Sequence, residues 1–308
     1  MNLFVSITPF NKKNKYFKQI RSLGCNVEFN ETGKKITPNL LKKKIVNCDF
    51  LVAGTERLTD KVLSTAKNLK LIARAGVGID SVDQIYLKKR NILLTNVQKG
   101  LEYSVAQLII SYILQDLRNL NLHTREIKRG IWKRYIGSNI SEKKIGIIGF
   151  GNIGQLLTKY LNALGNNKIY LNDISKITQN ELSDKNIWAT KKFIYKNCDI
   201  ISLNVDLNPS SRNLINKNTL KLFKKNSILI NTSRGEVINE QDLISHLKKN
   251  KFFKVYLDVF TEEPLKNSEL QSLNNAILTP HIGSMTLKSR EIMENSSLKS
   301  VIDYIKKD

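Results

Sequence analysis

The sequence is short of several things, and each shortage closes off a class of protein. It has 3 cysteines in 308 residues, Cys25, Cys48 and Cys198, an odd number without metal-ligand spacing. That excludes a disulfide-stapled secreted scaffold and a zinc ribbon, so no metal is expected, and scattered thiols suit a reducing cytoplasm. Prolines number 5 and are dispersed, leaving no proline-rich hinge. No apolar run approaches the roughly 20 residues that a membrane-crossing helix needs. The opening Leu3-Phe4-Val5-Ser6-Ile7 is too short for a signal-peptide core, is cut off by Pro9, and reads as a first buried strand. Acidic residues are scarce too: 27 Asp and Glu stand against 50 Lys and Arg, a formal charge of +23. The surplus is mostly lysine on solvated faces and at helix ends such as 41–44 and 246–251, where cations meet the negative end of the dipole. No basic run interleaves with stacking aromatics, so neither nucleic acid nor a membrane is expected as a partner.

What the chain does have is alternation. Short apolar strands are expected at Leu3–Ile7, Phe50–Ala53, Lys70–Arg74 and Ile92–Thr95, with helices at Tyr16–Leu23, Leu58–Leu63 and Val82–Lys89 between them. A long helical pattern begins near Glu102 and runs through Val105, Leu108, Ile109, Tyr112, Ile113 and Leu117, followed by a basic, poorly periodic stretch around 125–144. A second alternating series starts at Lys144–Ile148, with a helix at Asn152–Leu164 ended by Gly165. Its further strands are expected at Lys168–Leu171, Ile200–Leu203, Ile228–Ile230, Val255–Leu257 and Ala276–Leu278, and Asn239 is a plausible cap for a helix at Gln241–Lys248. Such alternation predicts α/β architecture with parallel sheets covered on both faces. Two series divided by one long helix imply two domains, the second inserted into the first, with the final amphipathic helix returning to the first. The expected boundaries are 1–99 with 283–308, and 100–282.

Gly149-Phe150-Gly151-Asn152-Ile153-Gly154 joins a strand to a helix. Alone the pattern is weak, but a strand before it, a helix after it and Asp173 about 20 residues on make it a dinucleotide turn. Gly149 permits the tight turn, Gly151 lets backbone approach a pyrophosphate, and Gly154 lets helix pack on strand. The helix N-terminus offers free amides to the phosphates. Asp173 accepts hydrogen bonds from an adenosine ribose and repels a 2′-phosphate, which favours NAD over NADP. Arg234, Glu263 and His281 each stand just beyond a predicted strand of the second series, the edge at which open α/β sheets bind ligands.

With these runs in hand, the chain resembles the D-isomer-specific 2-hydroxyacid dehydrogenases, in particular their phosphoglycerate dehydrogenase-like branch. The resemblance extends from about Phe50 to Ile302. It is carried by Arg74-Ala75-Gly76-Val77-Gly78-Ile79-Asp80, Asn231-Thr232-Ser233-Arg234-Gly235, Asp258-Val259-Phe260-Thr261-Glu262-Glu263-Pro264 and Thr279-Pro280-His281-Ile282-Gly283. It implies a Rossmann NAD-binding domain inserted into a flavodoxin-like substrate domain, both with doubly wound parallel sheets. The implied activity is hydride transfer between NAD and C2 of a small D-2-hydroxy acid, such as 3-phosphoglycerate or glycerate with hydroxypyruvate. By similarity Arg234 binds the substrate carboxylate and C2 oxygen, His281 exchanges the hydroxyl proton, and Glu263 orients His281. Gly76, Val77 and Gly78 cradle the carboxylate through backbone amides, a role that two glycines in one short turn also support physically. Arg74, just before that loop, is a candidate for a second anionic group of the substrate or for a structural ion pair. Asn152 and Ile153 face the pyrophosphate, Val205, Thr232 and Ser233 line the dinucleotide, Asp258 bonds the nicotinamide carboxamide, and Ser284 lies beside the nicotinamide. The family implies a homodimer, with the long helix and its following arm at the interface.

The chain departs from the family pattern in three places. Val97-Gln98-Lys99-Gly100-Leu101 replaces a Thr-Pro-Gly turn with a later Asn. Gln107 stands where an acid is usual, and Asn204-Val205-Asp206 replaces His-x-Pro. The sequence ends where the family's catalytic core ends, so no C-terminal regulatory domain is expected. Two other readings keep the same fold: an NAD-sensing corepressor that turns nothing over, and a dehydrogenase of formate or phosphite. The complete Arg-Glu-His set with Thr-Pro-His counts against formate.

Overall fold

The computed structural model describes residues 1–165, 168–175 and 186–307. The chain divides into two units, Met1–Leu101 with Thr286–Asp308, and Glu102–Met285. Strands of the first unit are β1 (Asn2–Val5), β2 (Asn26–Phe29), β3 (Phe50–Ala53), β4 (Leu71–Arg74) and β5 (Leu93–Asn96). They form one parallel sheet in the order β2-β1-β3-β4-β5, the flavodoxin-like winding. Phe-Leu-Val-Ala of β3 and Leu-Ile-Ala-Arg of β4 are buried throughout, because a central parallel strand is covered on both faces. One side packs Leu41, Ile45, Leu58, Val62, Leu63 and Leu87, and the other packs Phe17, Ile20, Leu298, Val301 and Ile302. The last three belong to the C-terminal helix Leu287–Ile305, which therefore covers this sheet.

The second unit opens with the helix Glu102–Leu117 and adds β6 (Ile145–Ile148), β7 (Ile169–Asn172), β8 (Asn186–Trp188), β9 (Ile200–Leu203), β10 (Ile228–Asn231), β11 (Lys254–Leu257) and β12 (Ala276–Leu278). All neighbours pair in parallel, in the order β12-β11-β10-β9-β6-β7-β8. Counted from β6, that is the Rossmann strand order extended by one strand. The order reverses between β6 and β9, so a crevice opens beyond their carboxyl ends.

The announced strands fall where the apolar runs placed them, to within a residue or two at either end. The strands the sequence did not announce, β2 and β8, are both sheet edges. An edge strand is covered less completely and needs no continuous apolar run; in β2 exposed and half-buried residues alternate. Four helices also went unannounced, among them the short Lys217–Leu220 capped by Asn216. Pro38–Lys44 and Lys191–Asn197 are capped by Thr37 and Thr190, whereas Leu120–Lys128 buries no residue and so shows no core-facing stripe. Asn239 caps the helix Glu240–Lys249 by accepting from the Asp242 amide at 3.1 Å, and Gly165 ends the helix Asn152–Ala163 at φ +85°. No helix among the described residues is long and apolar enough to cross a membrane.

Candidate active site

The glycine turn sits at the switch point, between the end of β6 and the helix Asn152–Ala163. Gly149 has φ +95°, and a Cβ there would lie 2.3 Å from the Asn204 carbonyl oxygen in the loop after β9. A Cβ on Gly154 would lie 2.2 Å from the Gly149 carbonyl oxygen. Neither position has room for a side chain. Gly151 is different: a Cβ there would meet nothing within 4 Å, so the space above the helix N-terminus stays open. No side chain caps that helix, which leaves its first-turn amides facing the opening. Asn152 is exposed and Ile153 half-buried at this end. Asp173, just past β7, accepts from the Phe150 amide at 2.6 Å and the Ser175 amide at 3.1 Å. A pyrophosphate fits the open helix end, and a ribose fits beside the Asp173 carboxylate.

The other sequence-derived residues of this unit lie at the same edge, beyond β9, β10, β11 and β12. Val205 follows β9 and is half-buried, while Asp206 is exposed. After β10, Asn231 organises the turn. Its Oδ1 accepts from the Ser233 amide at 3.0 Å and the Ser233 hydroxyl at 2.7 Å, and its Nδ2 donates to the Arg234 carbonyl at 2.8 Å. Thr232, Ser233 and Arg234 are half-buried, and Arg234 Nη1 donates to the Ser233 carbonyl at 2.7 Å. A Cβ on Gly235 would lie 2.0 Å from the Phe260 carbonyl carbon. Only glycine lets the arginine turn press against the backbone of the glutamate loop.

Glu263 Oε1 accepts from the Phe260 amide at 3.2 Å, which holds the carboxylate inside its own loop. Its other oxygen, Oε2, accepts from His281 Nδ1 at 2.8 Å, with side-chain exposures of 22% and 31%. With Nδ1 committed to a carboxylate, Nε2 is the nitrogen left to exchange a proton. His281 has φ +54°, a left-handed conformation that a non-glycine residue adopts only when its surroundings hold it there. Asp258 is one of those surroundings. Its Oδ1 accepts from the Thr279 hydroxyl at 2.6 Å and the Ile282 amide at 2.8 Å, and its Oδ2 from the Gly283 amide at 2.7 Å. Burial pushes the Asp258 carboxyl above its ordinary value, against the pull of these donors. Ser284, half-buried, follows this turn.

In the first unit, Arg74 ends β4 with 6% exposure, and its Nη1 donates to the Ala75 carbonyl at 3.3 Å. The Gly76 amide donates to the Arg74 carbonyl at 3.0 Å. The Gly76 carbonyl accepts from the Val97 amide at 3.1 Å, and the Val77 carbonyl from Asn96 Nδ2 at 2.6 Å. A trans peptide points its C=O and N–H in opposite directions. The amides of Val77 and Gly78 are therefore turned together, away from the end of β5. Gln98, one of the departures from the family pattern, donates to Asn96 Oδ1 and holds that amide in the required sense.

A doubly wound sheet with a dinucleotide turn at its switch point, and a carboxylate-paired histidine four strands along the same edge, defines an NAD-binding oxidoreductase. Comparison with known proteins narrows this. Residues 110–283 match the family model described as D-isomer specific 2-hydroxyacid dehydrogenase, NAD binding domain. The chain is 36% identical over 265 residues to D-3-phosphoglycerate dehydrogenase of Methanocaldococcus jannaschii, covering 85% of this chain and 50% of that protein. It is 35% identical over 277 residues to glyoxylate reductase of Thermococcus litoralis, covering 87% of this chain and 83% of the relative. The chain thus spans half the length of the first relative and most of the second. D-lactate dehydrogenase of Aquifex aeolicus, solved with NAD and lactic acid, superposes with a TM-score of 0.86 at 26% identity, covering 100% and 96% of the two chains. The chain belongs to the D-isomer-specific 2-hydroxyacid dehydrogenase family and carries its NAD-binding domain.

The residues that sequence reasoning missed are Tyr112, Asn231 and Thr279. Asn231 and Thr279 lie inside quoted motifs but were given no role. Tyr112 carried one signal, a hydroxyl on an otherwise aliphatic helix face.

Proposed function

We propose that the protein interconverts a small D-2-hydroxy acid and its 2-oxo acid, with NAD rather than NADP, on a substrate such as hydroxypyruvate, glyoxylate or phosphohydroxypyruvate. The observation that carries this reading is the 2.8 Å bond between His281 Nδ1 and Glu263 Oε2 at the sheet edge that also holds the glycine turn. Bound NAD supplies the hydride acceptor at C2. It has no acid or base at that carbon, so the protein moves the hydroxyl proton. In oxidation His281 Nε2 takes that proton, and Glu263 stabilises the imidazolium that results. In reduction the imidazolium returns it to the oxygen. Arg234 offers a planar fork to the carboxylate and the C2 oxygen, a geometry lysine does not copy. Val77 and Gly78, with their amides turned to one side, receive the carboxylate, and Gly76 supplies the tight turn. Arg74, buried against Gly76, holds this loop from beneath.

For the dinucleotide, Gly149, Gly151, Asn152, Ile153 and Gly154 receive the pyrophosphate, Asp173 the ribose, and Val205, Thr232 and Ser233 the flank. Ser284 and Asp258 stand at the nicotinamide end, Asp258 with lone-pair capacity still left on Oδ2. Asp173→Ala should narrow the gap in affinity between NAD and NADP. Free, buried Cys25, Cys48 and Cys198 support a reducing cytoplasm. Leu120, Ile127, Trp132 and Ile136 are 52, 53, 85 and 99% exposed, which supports a homodimer that covers the arm after the long helix. The deciding experiment is a screen of hydroxypyruvate, phosphohydroxypyruvate, glyoxylate and pyruvate with NADH, followed by absorbance. Turnover of one or more supports the reading, and turnover of none sinks it.

A further inference from the structure

Thr279 Oγ1 stands between two oxygens, Tyr112 Oη at 2.5 Å and Asp258 Oδ1 at 2.6 Å. A hydroxyl has one hydrogen to give. Asp258 has backbone N–H groups on both carboxylate oxygens, so it is the acceptor, and the Thr279 hydrogen points to it. Thr279 must then accept from Tyr112. The direction of the chain is fixed: Tyr112 to Thr279 to Asp258. Burial pushes the Tyr112 phenol up to about 12, so it keeps the hydrogen it donates.

The far end of this chain is the turn that carries His281. Asp258 receives the amides of Ile282 and Gly283, the two residues after the histidine. The same turn is tied at its start, where the Thr279 amide donates to the Leu257 carbonyl and the His281 amide to the Thr279 carbonyl, both at 3.0 Å. His281 between these ties sits at φ +54°. Tyr112 itself is anchored, 5% exposed, with its ring 5.1 Å from that of Tyr256. Tyr256 in turn donates to Asp116 Oδ1 at 3.1 Å, where Lys254 Nζ also binds at 2.9 Å. The phenolic hydrogen of Tyr112 thus ties the helix Glu102–Leu117 to the histidine turn.

We propose that Tyr112 is a positioning residue for His281, acting through Thr279 and Asp258 to hold the turn that aims the imidazole at Glu263. The proposal rests on the acid/base reading of His281. Its test has two readouts. With whichever of hydroxypyruvate or glyoxylate the unsubstituted protein reduces, Tyr112→Phe should lower kcat about 2- to 15-fold, the equivalent of one ordinary hydrogen bond. Thr279→Ser, which keeps the hydroxyl, should retain the rate, and Thr279→Val should lose it. The double variant Tyr112→Phe with Thr279→Val should be no slower than Thr279→Val alone, because Tyr112 acts only through that hydroxyl. The second readout needs no turnover. His123, His246 and His281 are the 3 histidines of the chain, so imidazole nitrogen NMR resolves them. Tyr112→Phe should shift or broaden the His281 Nδ1–H signal and leave those of His123 and His246 in place. An unchanged His281 signal, or losses that multiply in the double variant, would overturn the proposal. If His281→Ala keeps the parent rate, the acid/base reading itself fails. If His281→Ala is inactive and Tyr112→Phe is unaffected, only this inference fails.

Discussion

Glu263 and His281, 18 positions apart on the loops after β11 and β12, meet in a 2.8 Å hydrogen bond that fixes which imidazole nitrogen is engaged. That bond commits Nδ1 and leaves Nε2 for proton exchange. His281→Ala should therefore lower turnover about 10²- to 10⁴-fold with little change in NADH binding. Steady-state rates in both directions, beside an NADH titration, check this. A near-normal rate in the variant would remove His281 from the mechanism.

Arg234→Lys keeps the charge and loses the fork. The Michaelis constant for the oxo acid should rise and turnover should fall, because the contact to the C2 oxygen strengthens as charge develops there. NADH affinity should move much less. Unaltered kinetics would refute the anchor role.

The Asn96 amide holds the Val77 carbonyl at 2.6 Å. Asn96→Asp turns an acceptor toward that carbonyl and should splay the loop that presents the Val77 and Gly78 amides. The expected result is a Michaelis constant for the oxo acid raised by about 10-fold, the scale of one charge-assisted hydrogen bond misplaced. NADH affinity should be unchanged, since Asn96 belongs to the unit without the dinucleotide turn. A Michaelis constant equal to the parent's would detach Asn96 from substrate binding.

His246 bears on stability instead. Its Nε2 is buried without a hydrogen-bond partner among the described residues, and its ring lies 4.8 Å from that of Phe253. Burial lowers its folded pKa from the ordinary 6.5. As pH falls below 6.5 the unfolded chain takes the proton while the folded one resists it, so stability is fully present above 6.5 and declines below it. His246→Phe removes this penalty. The difference in Tm between variant and parent, measured by calorimetry, should grow in the variant's favour from pH 7 to pH 5. A difference that does not change with pH would show that His246 plays no part in acid sensitivity.

Much of this architecture was legible in the chain because the relevant physics is local. Ile-Gly-Ile-Ile of β6 or Ile-Leu-Ile of β10 is apolar enough to imply a strand covered on both faces, and Gly149 and Gly154 stand where a side chain would strike backbone. Two of the four sheet edges were not legible. β2 and β8 each have one neighbour, so their composition is not forced. Nor was the support of the site. Tyr112 and Thr279 are 167 positions apart, and nothing in the spacing of an amphipathic helix says that one phenol leaves the aliphatic core to meet a threonine hydroxyl. The reach of Asn96 to Val77 is equally invisible, since it depends on β4 and β5 being neighbours.

The bond from the Phe150 amide to Asp173 has a consequence for anyone who would redesign this protein to use the phosphorylated dinucleotide. The usual first move is to replace the acidic residue that repels the extra phosphate. On the proposed reading that residue is Asp173, which is also the acceptor for an amide of the glycine turn, so discrimination and scaffold would share one carboxylate. A replacement chosen only for charge would admit the new cofactor to a loosened seat. A short neutral side chain that still accepts from Phe150, paired with a cation placed elsewhere in the loop, is the substitution the turn can tolerate.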